Sequence, residues 1–111
     1  MWGMDMAEMA LLHIYGQEAW HDDVYLVGNR AGLSALKTAI EEALAIGKGQ
    51  TPEKGQVFVS DGEGYSVKVL CNDEDWQGEF WGTLAVPYTE DFARDNRENA
   101  VGPWKLWGPC A

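Results

Sequence analysis

The chain has 111 residues, the size of one domain, and folding at that length hides roughly two-thirds of the unfolded surface. Apolar residues make up 46% and charged residues 23%, which excludes disorder of the whole chain. Eighteen Asp and Glu against eight Lys and Arg leave a net charge of -10. A surface of that sign repels phosphate backbones, and the bases are scattered singly from Arg30 to Lys105, so direct nucleic-acid binding is not expected.

The N-terminus, MWGMDMAEMA, interrupts each short apolar stretch with an acid. It has neither the charged start and apolar core of a secretion signal nor the length of a membrane span. Cys71 and Cys110 are the only cysteines, neither sits in a CxxC pair, and His13 and His21 lie far from both in sequence. A cytoplasmic location with reduced thiols, and no zinc site, is the expectation.

Residues 10–16 and 23–28 are rich in β-branched and aromatic side chains and read as two strands of a hairpin. Asn29 then has the character of a helix N-cap. Leu33, Leu36, Ile40 and Leu44 follow at spacings of three, four and four, one apolar stripe of a helix over residues 30–46. Gly47 marks its end, and Gly49 to Gly55 reads as a polar linker. Gln56 to Ser60 and Tyr65 to Cys71 are strands around the turn Asp61-Gly62-Glu63-Gly64. In the second of them Tyr65, Val67 and Val69 alternate with Ser66 and Lys68, so one face is buried. Glu79 to Val86 reads as a fifth strand stopped by Pro87, and Thr89 as the cap of a short helix. The tail from Gly102 to Pro109 reads as an ordered loop or edge segment. The class is α+β in a single domain over residues 1–111: an antiparallel sheet of four or five strands, ββαββ in order, with one main helix on one face.

No catalytic motif is legible. Asp73-Glu74-Asp75-Trp76-Gln77-Gly78 begins like an EF-hand loop, but Leu84 stands where the closing glutamate belongs, so it reads as a solvated acidic turn. The Asp61–Gly64 segment has the glycines of a phosphate loop without its lysine, and it joins two strands. His21 beside Asp22 and Asp23 lacks a nucleophile motif to serve. No enzyme activity, metal or cofactor is expected. The tryptophans stand out: six in the chain, with Trp76, Trp81, Trp104 and Trp107 in its last third. Interleaved with Asp73, Glu74, Asp75 and Glu79, they suit a partner-binding surface with aromatic anchors and an acidic rim, directed at a basic protein. Stacking of a small molecule or nucleotide signal between tryptophans, in the groove of a homodimer, is the second expectation.

The segment Val24-Tyr25-Leu26-Val27-Gly28-Asn29-Arg30-Ala31-Gly32-Leu33, continued by Leu36, Ile40 and Leu44 and then by Asp61-Gly62-Glu63-Gly64-Tyr65, resembles small bacterial domains of the immunity protein 32 type, which accompany polymorphic toxins. The resemblance covers about residues 23–70 and rests on a strand leading through a Gly-Asn step into the helix, then a Gly-rich hairpin. It implies a cytoplasmic inhibitor that blocks a toxin by binding it. A small acidic domain of this kind also suits a phage-encoded inhibitor of a bacterial defence system. The tail from Trp76 onward has no counterpart in that resemblance.

Overall fold

The computed structural model describes residues 9–17, 21–51, 57–87 and 95–107. They fall into two compact units, one within residues 1–17 and 23–71, the other within 18–22 and 72–111.

In the first unit, β1 (Leu12–Tyr15) and β2 (Tyr25–Gly28) form the expected antiparallel ladder, with Ile14 opposite Leu26 and Tyr15 opposite Tyr25. The helix α1 (Arg30–Ile46) follows at once. Asn29 starts it, its Oδ1 accepting the Gly32 amide at 2.8 Å. The same side chain holds the chain before β1, accepting from the Leu11 amide at 3.0 Å and donating to the Met9 carbonyl at 2.7 Å. Gly47 ends the helix in the left-handed region at φ 95°, its amide bonded to the Ala43 carbonyl at 2.7 Å.

The stripe that faces the core shares only Leu36 with the predicted one. Gly32, Leu36, Ala39 and Ala43 are buried, whereas Leu33, Ile40 and Leu44 are exposed, Leu44 by 71%. The cause is close backbone approach. A β-carbon at Gly32 would overlap the Leu11 carbonyl, and one at Gly49 would overlap the Ala39 carbonyl. At these two points only small side chains fit between the helix and the chain beneath it, and Leu33, Ile40 and Leu44 lie on its flanks.

The segment expected as a linker begins as strand β3 (Lys48–Gln50), which the turn at Gly47 carries back under the helix. It pairs with β6 (Lys68–Leu70), while β4 (Val57–Phe58) pairs with β5 (Gly64–Tyr65). The single strand expected over 65–71 is thus shared between two partners. Gln50 opposes Lys68, so a continuous register would set residue 53 against Tyr65; Val57 stands there instead, four residues further on. Thr51 covers the break. Buried, it donates its amide to the Val67 carbonyl at 3.0 Å and accepts the Val67 amide on Oγ1 at 3.0 Å.

The Asp61–Gly64 turn is as expected: Gly62 sits at φ 96°, and Asp61 Oδ1 accepts the Glu63 amide at 3.0 Å. The alternation from Tyr65 to Val69 also holds, odd residues half-buried and even ones exposed. One sheet of four or five strands does not form among the described residues. The fold is α+β, but its ladders are two-stranded, linked by a parallel bridge from Leu11 to Phe58 and by the Phe58 amide donating to the Ala10 carbonyl at 2.8 Å. Leu12, Leu36 and Val57 form the core, flanked by Ala10, Ala35, Tyr65 and Val67. His13 Nε2 accepts the Ser60 amide at 2.9 Å, so Nδ1 carries the proton and donates to Tyr15 Oη at 2.6 Å. The bond to Ser60 fastens the hairpin turn to β1.

In the second unit, the predicted strand Glu79–Val86 is instead a short helix, α2 (Glu79–Thr83), and the tail forms another, α3 (Pro103–Trp107). Glu74 reverses the expectation for α2, because its Oε1 accepts the Phe80 amide at 3.2 Å and supplies the first-turn acceptor. Thr83, a residue typical of strands, donates its hydroxyl back to the Glu79 carbonyl at 2.9 Å. For α3, Pro103 occupies the first helical position, which needs no amide donor. Leu84 and Val101 meet in a parallel bridge between the two helices. Most of the helix expected from Thr89 lies outside the described residues.

Candidate functional site

The acids and tryptophans singled out in the sequence all belong to the second unit. Asn72 Oδ1 accepts the Glu74 amide and Asp75 Oδ1 the Gln77 amide, each at 2.8 Å. Two successive side-chain turns therefore lead from residue 72 into α2. This is the solvated acidic turn that the sequence suggested, and its carboxylates are partly occupied: Glu74 caps α2 and Asp75 closes its own turn. Asp73 and Glu79 are exposed beside them. Among the described residues no group of three or more His, Cys, Asp or Glu is placed to hold a metal ion, and no helix is long and apolar enough to cross a membrane.

Among the described tryptophans, three stand in solvent: Trp76 is 77% exposed, Trp81 42% and Trp104 69%. Trp81 lies on α2 with its indole edge-on to Phe80, ring centres 5.0 Å apart. Trp107, at the end of α3, is half-buried. Of the four tryptophans singled out in the sequence, three are therefore exposed. The helices that carry Trp81 and Trp104 are tied through Val101, whose amide donates to the Thr83 carbonyl at 2.7 Å and whose carbonyl accepts from Ala85 at 2.8 Å.

Two residues that sequence reasoning missed hold this arrangement. Asp95 and Arg97 form an ion pair at 2.8 Å, with Arg97 Nε a further 3.0 Å from Oδ1. Asp95 also accepts the Val86 amide at 3.1 Å and the Arg97 amide at 3.1 Å. Hydrogen bonds from Arg97 and Val86 hold the Asp95 carboxyl well below the usual aspartate range, and the same pairing raises Arg97. The guanidinium extends to the Gly82 and Leu84 carbonyls, both at 3.4 Å, at the end of α2. Nothing in the local sequence D-N-R announces this, since its partners lie nine to fifteen residues away.

Beside the pair lies a recess of about 410 Å³ bordered by Val86, Pro87, Asp95, Pro103, Trp104 and Lys105, with Gly102 in its lining. Both Asp95 oxygens are saturated by internal donors, so the acid shapes the recess and does not offer an acceptor to an occupant. Gly102 is buried under the Trp104 ring, where a β-carbon would overlap the indole. Exposed Trp104 and Lys105 are both in the lining of the recess.

Compared with protein-family models, with curated proteins and with solved structures, the chain matches none.

Proposed function

We propose that the chain is a stoichiometric inhibitor of the immunity or anti-defence kind, acting in the cytoplasm by binding a basic protein rather than by catalysis. The observation that carries this reading is the exposure of Trp76, Trp81 and Trp104 in one unit with the exposed acids Asp73, Asp75 and Glu79. Large rings left in solvent cost solubility without adding to a core, whereas at an interface they supply the anchors that carry affinity. Acids around them steer a basic partner to the surface and exclude an acidic one. The likeness of residues 23–70 to immunity domains agrees with such a role, as does the absence of a legible nucleophile. The test is titration of the purified chain against the toxin or defence protein encoded beside its gene. Complete inhibition at one chain per target supports the proposal; inhibition far below that ratio would mean turnover and would overturn it.

The recess beside Trp104 favours a second reading, a small-molecule binder that stacks a flat ring on the indole with Lys105 at its edge. That reading needs no protein partner and predicts a ligand retained on purification.

A further inference from the structure

The first unit carries a surface that this function does not use. β2 pairs with β1 alone among the described residues, and its side chains are open to solvent: Tyr25 by 59%, Leu26 by 50% and Val27 by 56%. The Asn29 amide donates to the Leu11 carbonyl at 3.1 Å. By the two-residue alternation of an antiparallel ladder, Tyr25 and Val27 also bond toward β1, and the backbone groups of Val24 and Leu26 point outward. Exposed strand edges are ordinarily guarded by a charge, a proline or a bulge within the strand. Tyr25-Leu26-Val27-Gly28 has none of these. Its charges flank it with opposite signs, Asp23 before the strand and Arg30 after it.

We propose that β2 is the dimerisation edge of this protein, pairing antiparallel with β2 of a second copy about a two-fold axis at Leu26. The outward-bonding residues restrict the register, because an antiparallel pair must set outward groups against outward groups. The register centred on Leu26 is the one that pairs all three of them: Leu26 opposes Leu26, and Val24 opposes Gly28. Three further matches follow without adjustment. Tyr25 of each copy faces Val27 of the other, an aromatic and β-branched pair of the kind that stabilises neighbouring strands, and symmetry makes it twice. The two Leu26 side chains meet on the other face. Asp23 of each copy falls opposite Asn29 and next to Arg30 of the other, so acidic and basic ends alternate across the axis. Lys37 borders the same shallow recess of α1 as Arg30, which makes the basic end a patch. A foreign apolar strand could satisfy the backbone, but only a second copy supplies the matching charges in reversed order.

Sedimentation velocity on the full chain tests this. The wild type is expected to be a dimer that dissociates on dilution, and Leu26→Lys, which sets two ammonium groups face to face, is expected to raise the dimer dissociation constant at least about 100-fold. Leu26 is half-exposed, so the far-UV spectrum of the variant should stay native. Asp23→Arg and Arg30→Asp should each weaken the dimer by about 3- to 10-fold and restore it when combined. That rescue does not depend on Leu26→Lys folding. A wild-type chain that stays monomeric up to ~1 mM, a dimer indifferent to Leu26→Lys, or charge reversals that fail to compensate would each overturn the proposal. None of these outcomes bears on the tryptophan surface of the second unit.

Discussion

Asp95 and Arg97 stand two residues apart and grip each other at 2.8 Å, the carboxylate side chain 2% exposed and the guanidinium half open to solvent. The pair does more than neutralise itself. Through the Val86 amide and the Gly82 and Leu84 carbonyls, it holds the segment of Asp95 and Arg97 against the end of α2 and the residues just after it. An ion pair with so many backbone partners acts as a brace, and removing Arg97 would leave the buried Asp95 carboxylate without its counter-charge.

Acid should therefore loosen the second unit. The folded-state pKa of Asp95 lies below its unfolded value, so the stabilisation is fully present above the ordinary aspartate value of 3.8. It is lost as pH falls below that value toward the depressed one. Asp95→Asn should lower the melting temperature at neutral pH and flatten its decline in acid. Thermal melts followed by tryptophan fluorescence between neutral pH and about pH 2 check both expectations.

Asn29 joins three backbone groups, so its loss should exceed that of an ordinary cap. Asn29→Ala is expected to cost about 2–3 kcal/mol in urea denaturation, the cap together with the orphaned Leu11 amide and Met9 carbonyl. Asn29→Asp keeps the acceptor and should recover part of that.

The small-residue stripe makes a prediction opposite to the one that side-chain size suggests. Gly32→Ala, which adds one methyl where the Leu11 carbonyl lies, should destabilise by about 1–3 kcal/mol or more. Leu44→Ala, which removes three carbons from an exposed flank, should fall within about 0.5 kcal/mol. Leu36→Ala, in the core, should cost about 2–5 kcal/mol. Equal midpoints for Gly32→Ala and the wild type would mean that the helix does not approach the chain so closely.

The contrast between Leu33 and Gly32 also marks how far the sequence could be read. Helix, cap and stop are local matters, and Asn29, the apolar spacing and Gly47 announced them. Which face is buried depends on how near another backbone comes, and hydrophobicity favours Leu33, Ile40 and Leu44 where geometry admits only Gly32, Ala39 and Ala43. The hairpin turn at Gly62 was legible for the same local reason, while the division of residues 64–70 between two partners was not, since it follows from the extra length between Thr51 and Val57. In the candidate site, the tryptophans and acids were visible as composition. The conversion of Glu79–Thr83 from strand to helix required Glu74 to reach Phe80, and the brace required Asp95 to meet groups far away in sequence.

Gly102 offers a probe of the recess. A β-carbon there would overlap the Trp104 ring, so Gly102→Ala should displace the indole without demanding an unusual backbone angle. A shifted Trp104 emission and altered acrylamide quenching are expected, with the first unit unchanged as judged by urea midpoints of the Leu36 core. An unaltered spectrum would mean that the ring does not rest on Gly102.

The most direct measurement is native mass spectrometry of the chain isolated gently from its host, beside the variant carrying Trp76→Ala, Trp81→Ala and Trp104→Ala. Binding through the exposed rings predicts a discrete complex with one basic protein at one copy per chain, absent from the variant although the variant remains folded. A small-molecule adduct without a protein partner, or a protein complex that survives loss of all three rings, would contradict it.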